Sequence, residues 1–153
     1  MANKFFKKPK NVAIQLLNLK FKYECLDCNL GVGKLFWKQQ VRPSELSRMY
    51  DITVKYNGRT PEVYLYNQGI MTKEDEYIPH CYRRHYKNKE DEYVKLCLFY
   101  PGYQEWSSDM FLSDTIIPWT IDWLYFYELW RVTGKWLGGG IEHEKNKKDM
   151  LSN

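Results

Sequence analysis

Long hydrophobic runs are missing from this chain. The longest apolar stretch, Ile116 to Trp130, is interrupted by Pro118, Asp122 and Glu128, so it falls short of the roughly 18 uninterrupted apolar residues that a membrane span needs. A spanning helix is excluded. A basic N-terminal patch, Lys4, Lys7, Lys8 and Lys10, leads into a segment broken by Gln15 and Asn18, with no small-residue cleavage site after it. No secretion signal is read, and a cytoplasmic chain is expected. Charge of one sign is also scarce. The 23 basic residues stand against 19 acidic ones for a net charge of +4, too mild to demand a nucleic-acid partner, and no recognisable nucleic-acid motif appears. Neither nucleic acid nor membrane is expected as a partner. Nothing resembles an ATP-binding loop, and no cofactor or metal centre is expected. The 4 cysteines, Cys25, Cys28, Cys81 and Cys97, are expected as reduced thiols in a cytoplasmic chain.

Aromatic residues, by contrast, are plentiful, at 17% of the chain within a hydrophobic total of 44%. That composition excludes a disordered chain despite a mean hydropathy of −0.64. A length of 153 residues suffices for one compact domain that buries roughly 70% of its unfolded surface. The expected organisation is a basic arm over residues 1–11, a single domain over 12–142 and a charged tail over 143–153.

Hydrophobic periodicity orders the elements. Val12, Ile14, Leu16, Leu17 and Leu19 suit two or three helical turns. From Lys20 the period becomes two, with Phe21, Tyr23 and Cys25 opposite Lys20, Lys22 and Glu24, which predicts a first strand with Cys25 looking inward. The stretch Asn29 to Gly33 reads as the turn that ends it. Leu35, Trp37 and Val41 predict a second strand, Tyr50 to Tyr56 a third, and Val63 to Tyr66 a fourth, with Asn57-Gly58 as the hairpin signal between the last two. Residues 67–92 have no sustained period and read as a functional or hairpin-like excursion. The run Tyr93 to Tyr100 ends at Pro101-Gly102; in an extended chain Val94, Leu96 and Leu98 point one way, and Lys95 and Cys97 the other. Finally, Ser113-Asp114-Thr115 supplies caps for a helix running to Gly134, so apolar between Trp119 and Trp130 that burial on all sides is expected. The fold class is α+β: an N-terminal helix, a four-stranded antiparallel meander, an irregular segment bearing a cysteine, and an aromatic C-terminal helix.

Two thiol groups invite chemistry. Cys25-Leu26-Asp27-Cys28 has the spacing of zinc knuckles and redox pairs, yet on a strand positions three apart face opposite sides, and no helix starts at the motif. Separate structural cysteines are favoured there over a zinc staple or a redox pair. Cys97 is either a core thiol or a nucleophile. Lys95 shares its strand face, and Arg83, Arg84, His80 and His85 come from the preceding excursion; nearby cations favour the thiolate that attacks acyl carbons. Three histidines are too few for a convincing Cys-His-Asp arrangement.

The order Ile78-Pro79-His80, Leu96-Cys97-Leu98, Glu105-Trp106 and Ile116-Ile117-Pro118-Trp119 resembles the ubiquitin-conjugating enzyme fold. Trp123-Leu124, Tyr127-Glu128, Thr133-Gly134 and Trp136 to His143 are more closely similar to the bacterial members encoded beside cGAS/DncV-like nucleotidyltransferases in CBASS antiphage operons, the short type II arrangement. The resemblance covers roughly residues 12–143. It implies that Cys97 is the nucleophile holding the C-terminus of a cognate nucleotidyltransferase as a thioester, which primes or regulates antiviral signalling. His80 is implied to be the histidine of the His-Pro-Asn motif, a hydrogen-bonding residue more than a base. Cys81-Tyr82 replaces Pro-Asn, so the oxyanion amide is missing and a backbone donor, Asn88 or Tyr82 is its replacement. Losing such a donor typically costs on the order of 100-fold in rate. The departure keeps a second implication open, a catalytically silent module that holds the nucleotidyltransferase non-covalently. Gly138 to Gly140 and His143 are read either as a mobile wall beside Cys97 or as a loose exit from the last helix.

Overall fold

The computed structural model describes residues 8–100 and 103–138. Helix α1 spans Val12–Lys22. Asn11 caps it, its Oδ1 accepting from the Ile14 N–H at 2.8 Å, and Lys20 and Lys22 occupy its last turn, where cations meet the negative end of the helix dipole. The expected strand over Lys20–Cys25 does not form. Lys20 and Lys22 complete α1, Tyr23 leaves it in an extended conformation, and Phe21 is 87% exposed. Over six residues a two-residue alternation also fits a helix whose Leu16, Leu19 and Tyr23 lie three and four apart, and those are the residues that pack on the core.

The strands are β1 Asp27–Gly31, β2 Lys34–Val41, β3 Tyr50–Tyr56, β4 Pro61–Tyr66, β5 Cys81–Asn88 and β6 Asp91–Leu96. They form one antiparallel sheet of 6 strands in the order β1-β2-β3-β4-β6-β5. The α+β class and the antiparallel β2–β4 meander hold, while the strand count of four is corrected to six. The excursion contains β5, the cysteine-bearing segment is β6, and the two pair as a hairpin whose later strand docks on β4. Charged side chains on the outer face of β5, such as Arg83 and Lys87, mask its period. Asn57 Oδ1 accepts from the Arg59 and Thr60 N–H groups, both at 2.9 Å, and Gly58, at a φ of 86°, makes the left-handed step between β3 and β4.

Helix α2 spans Ile116–Thr133 and ends at Gly134, whose left-handed φ of 73° and N–H to the Trp130 carbonyl close the last turn. It buries one face, Ile116, Ile117, Thr120, Trp123, Leu124 and Tyr127, and leaves Tyr125 and Val132 exposed. The expectation of burial all round is corrected. Asp122, Tyr125, Arg131 and Thr133 lie on the exposed side with Val132, while the Trp123 indole and the Tyr127 hydroxyl satisfy themselves on buried carbonyls. The buried face joins Trp37, Ile52, Val54, Leu65, Val94 and Leu96 of the sheet in one hydrophobic cluster. Among the described residues no helix is long and apolar enough to cross a membrane. Gly139, Gly140, His143, the tail and residues 1–7 of the arm lie outside the described residues.

Candidate active site

Cys97 follows the last residue of β6. Val94 and Leu96 are buried and Cys97 is half-buried, as the alternation requires. Its backbone is held from the β5 side: the Cys97 N–H donates to the His80 carbonyl at 3.0 Å, and Cys81 pairs with Leu96 in the ladder. The same His80 carbonyl accepts from the Trp123 indole N–H at 2.8 Å. His80 has a φ of 51°, a left-handed conformation uncommon outside glycine, and this turn feeds the chain into β5. Its buried ring lies 4.9 Å from that of Trp136. His80 therefore reaches Cys97 through its backbone.

Tyr82, two residues along β5, donates its hydroxyl proton to the Phe99 carbonyl at 2.6 Å, and the same hydroxyl is near enough to the Cys97 sulfur to favour its thiolate. The sulfur lies 3.7 Å from the same Phe99 carbonyl. Burial pushes the Cys97 thiol above its ordinary pKa; the Tyr82 bond pulls it back, and the Glu105 charge adds to the rise. Burial likewise raises Tyr82. Of the donors named for the missing amide, Tyr82 is beside the thiol. Asn88 is instead the last residue of β5, at the far end of the hairpin, its Oδ1 accepting from the Glu90 N–H at 2.9 Å.

The basic residues named for the thiol engage other partners, although Lys95 also lies 5.6 Å over the Tyr82 ring. Lys95 pairs with Glu62 at 3.3 Å, His85 with Asp91 at 3.0 Å, and Arg84 lies over the Tyr77 ring. Cys81 lies one residue past His80 with a partner of its own. Burial pushes it up to about 11, and its sulfur donates to the Ile78 carbonyl at 3.1 Å.

Cys97 opens onto a groove of about 420 Å³ lined by Leu98, Glu105, Trp119, Asp122, Trp123 and Phe126. Trp119, Asp122, Trp123 and Phe126 are spaced by three, one and three residues, which places them on one face of α2. That spacing was legible in the sequence and points to Asp122 and Phe126 as site residues that composition alone passes over. Glu105 Oε2 accepts from the Tyr100 N–H at 3.0 Å, which fixes its carboxylate at the rim. Gly138 packs against Phe126. A Cβ there would come within 2.7 Å of the Phe126 ring, so only glycine permits this approach.

The Cys25 and Cys28 sulfurs are 3.5 Å apart. Cys25 is exposed, not inward-looking, because it precedes β1 instead of lying in a strand. Among the described residues no group of three or more His, Cys, Asp or Glu is placed to hold a metal ion.

Among known families, a model described as Type II CBASS E2 protein matches residues 15–144. No curated protein matches the chain.

Proposed function

Because the chain belongs to the type II CBASS E2 proteins, which act in antiphage signalling, we propose that Cys97 forms a thioester with the C-terminus of a cognate cGAS-like nucleotidyltransferase. The observation that carries the proposal is a half-exposed thiol held by its backbone at the mouth of an aromatic and acidic groove. The groove accepts an extended C-terminal tail between Trp119, Trp123 and Phe126. The sulfur attacks the activated acyl carbon, negative charge develops on the carbonyl oxygen, and the leaving group departs with the thiol proton. By turning its one hydroxyl proton from the Phe99 carbonyl to the reacting centre, Tyr82 supplies the nearest side-chain donor and takes the place of the absent amide. His80 positions the nucleophile through its carbonyl. Glu105 and Asp122 face the acyl group from the groove and orient an amine that later accepts it. In the cell the modification primes or regulates the nucleotidyltransferase, and the protein works in the cytoplasm.

Co-expression with the neighbouring nucleotidyltransferase tests this directly. A non-reducing gel and an intact mass spectrum are expected to reveal a one-to-one adduct that neutral hydroxylamine cleaves and that Cys97→Ala abolishes. An adduct persisting in Cys97→Ala refutes the assignment. A complex that co-purifies without any adduct and ignores Cys97→Ala selects a non-covalent binding module.

A further inference from the structure

The groove does not involve Cys25 and Cys28. Cys25 lies in the turn after α1, and Cys28 is the second residue of β1, paired with Trp37 of β2 and half-buried against the core. The Leu26 N–H donates to the Lys38 carbonyl at 2.8 Å, so the residue between the two thiols is already anchored on β2. The chain thus curls before the strand begins, and the sulfurs approach to 3.5 Å, where an uninterrupted strand would set them on opposite faces. A disulfide needs an S–S distance of about 2.05 Å, so side-chain rotation of the exposed Cys25 covers the remainder while β1 keeps its register. A tetrahedral zinc site needs four ligands, and none of the described His, Cys, Asp and Glu groups provides even three. Three strands separate β1 from β6 in the sheet, so this pair is remote from Cys97.

We propose that Cys25 and Cys28 form a redox site, a dithiol that a peroxide oxidises to an intramolecular disulfide and a dithiol reductant restores. The exposed Cys25 thiolate attacks one oxygen of hydrogen peroxide; the O–O bond breaks, leaving a sulfenic acid and hydroxide. The Cys28 thiolate then attacks the Cys25 sulfur, the S–S bond forms and the S–O bond breaks, and the second oxygen leaves as hydroxide. Two thiols lose two electrons and two protons, and the peroxide becomes two waters. In a reducing compartment such a bond is transient, as suits a sensor. When formed, it clips the end of α1 to the edge strand β1.

The test uses the full chain, reduced, exposed to hydrogen peroxide, alkylated with iodoacetamide and digested with trypsin without reductant. The peptide Tyr23–Lys34 contains Cys25 and Cys28 and no other cysteine. It is expected to lose two hydrogens, to escape alkylation, and to regain both thiols with dithiothreitol. Cys28→Ser is expected to abolish the hydrogen loss and leave Cys25 as a dimedone-reactive sulfenic acid. Full alkylation of the wild-type peptide after peroxide overturns the proposal, as does a sulfinic acid on Cys25 without a disulfide, or stoichiometric zinc that protects both thiols. Cys97→Ala leaves the expected result unchanged, so failure of the thioester proposal is read separately.

Discussion

A thiol reacts as its thiolate, and at Cys97 burial opposes that form while the Tyr82 hydroxyl favours it. The sign is therefore set: alkylation of Cys97 by iodoacetamide rises with pH through a midpoint above that of an ordinary cysteine. Tyr82→Phe removes the favourable bond, so the midpoint moves further up and the rate near pH 8 falls roughly fivefold, the weight of one hydrogen bond worth about 1 kcal/mol. A pH–rate profile of Cys97 alkylation in both proteins checks this, and coincident profiles would sink the role given to Tyr82. The direction of Cys97 was legible in its sequence because Val94 and Leu96 are unmistakably apolar neighbours. The place of Tyr82 was not, since an irregularity in the β5–β6 ladder between Cys81 and Arg83 sets its register, and such bulges leave no pattern in residue types. Cys25 was misjudged because six alternating residues are too few to separate a strand from a last helical turn.

At the scale of elements, α1 is held by a buried amide as well as by Leu16, Leu19 and Tyr23. Ile14, Leu17 and Phe21 are exposed, and the fully buried residues of the helix are Gln15 and Leu19. Gln15 Nε2 donates to the Met110 carbonyl at 2.8 Å and its Oε1 accepts from the Leu112 N–H at 2.9 Å. Those bonds staple α1 to the segment that leads into α2 and so steady the groove wall from behind. Gln15→Ala leaves both backbone groups buried without partners, at about 1–3 kcal/mol each. Urea unfolding is expected to give a loss of about 2–6 kcal/mol, and a loss under about 0.5 kcal/mol, the usual surface value, contradicts the staple. A glutamine in an apolar stretch reads in sequence as an interruption of the hydrophobic face. Its meaning appears only with its partners, 95 and 97 positions away. The hairpin β5–β6 was half legible for a related reason: its apolar strand stood out, and its charged edge strand did not.

For the whole molecule, the segment between β4 and β5 is tied to the end of α2 by Glu76 and Arg131. Arg131 donates to the Glu76 carboxylate and the Ile70 carbonyl, and to the Tyr127 hydroxyl at 2.9 Å. Burial pushes the Glu76 carboxyl up, but the bonds from Arg131 and Thr72 outweigh it and hold the carboxyl below its usual range. A carboxylate depressed in the folded state contributes stability that is present above its unfolded pKa of about 4.3 and is lost as pH falls through the lower folded value. Melting temperatures followed from about pH 7 down to about pH 3 are expected to drop on the acid side, and Glu76→Gln is expected to flatten part of that drop. An identical acid limb in the variant removes Glu76 from the account. The overall class followed from periodicity, because helices and meander strands bury repeating faces. The latch did not, because ion pairs between distant segments follow from topology.

The His80 carbonyl gives the site a further property. An oxygen offers two lone pairs, and here one is engaged by the Cys97 amide and the other by the Trp123 indole. Neither donor can change partner without leaving a vacancy at a shared acceptor. The seat of the sulfur and the rotation of α2 are therefore not two adjustable quantities but one coordinate, and whatever displaces Trp123 also shifts the backbone that carries Cys97.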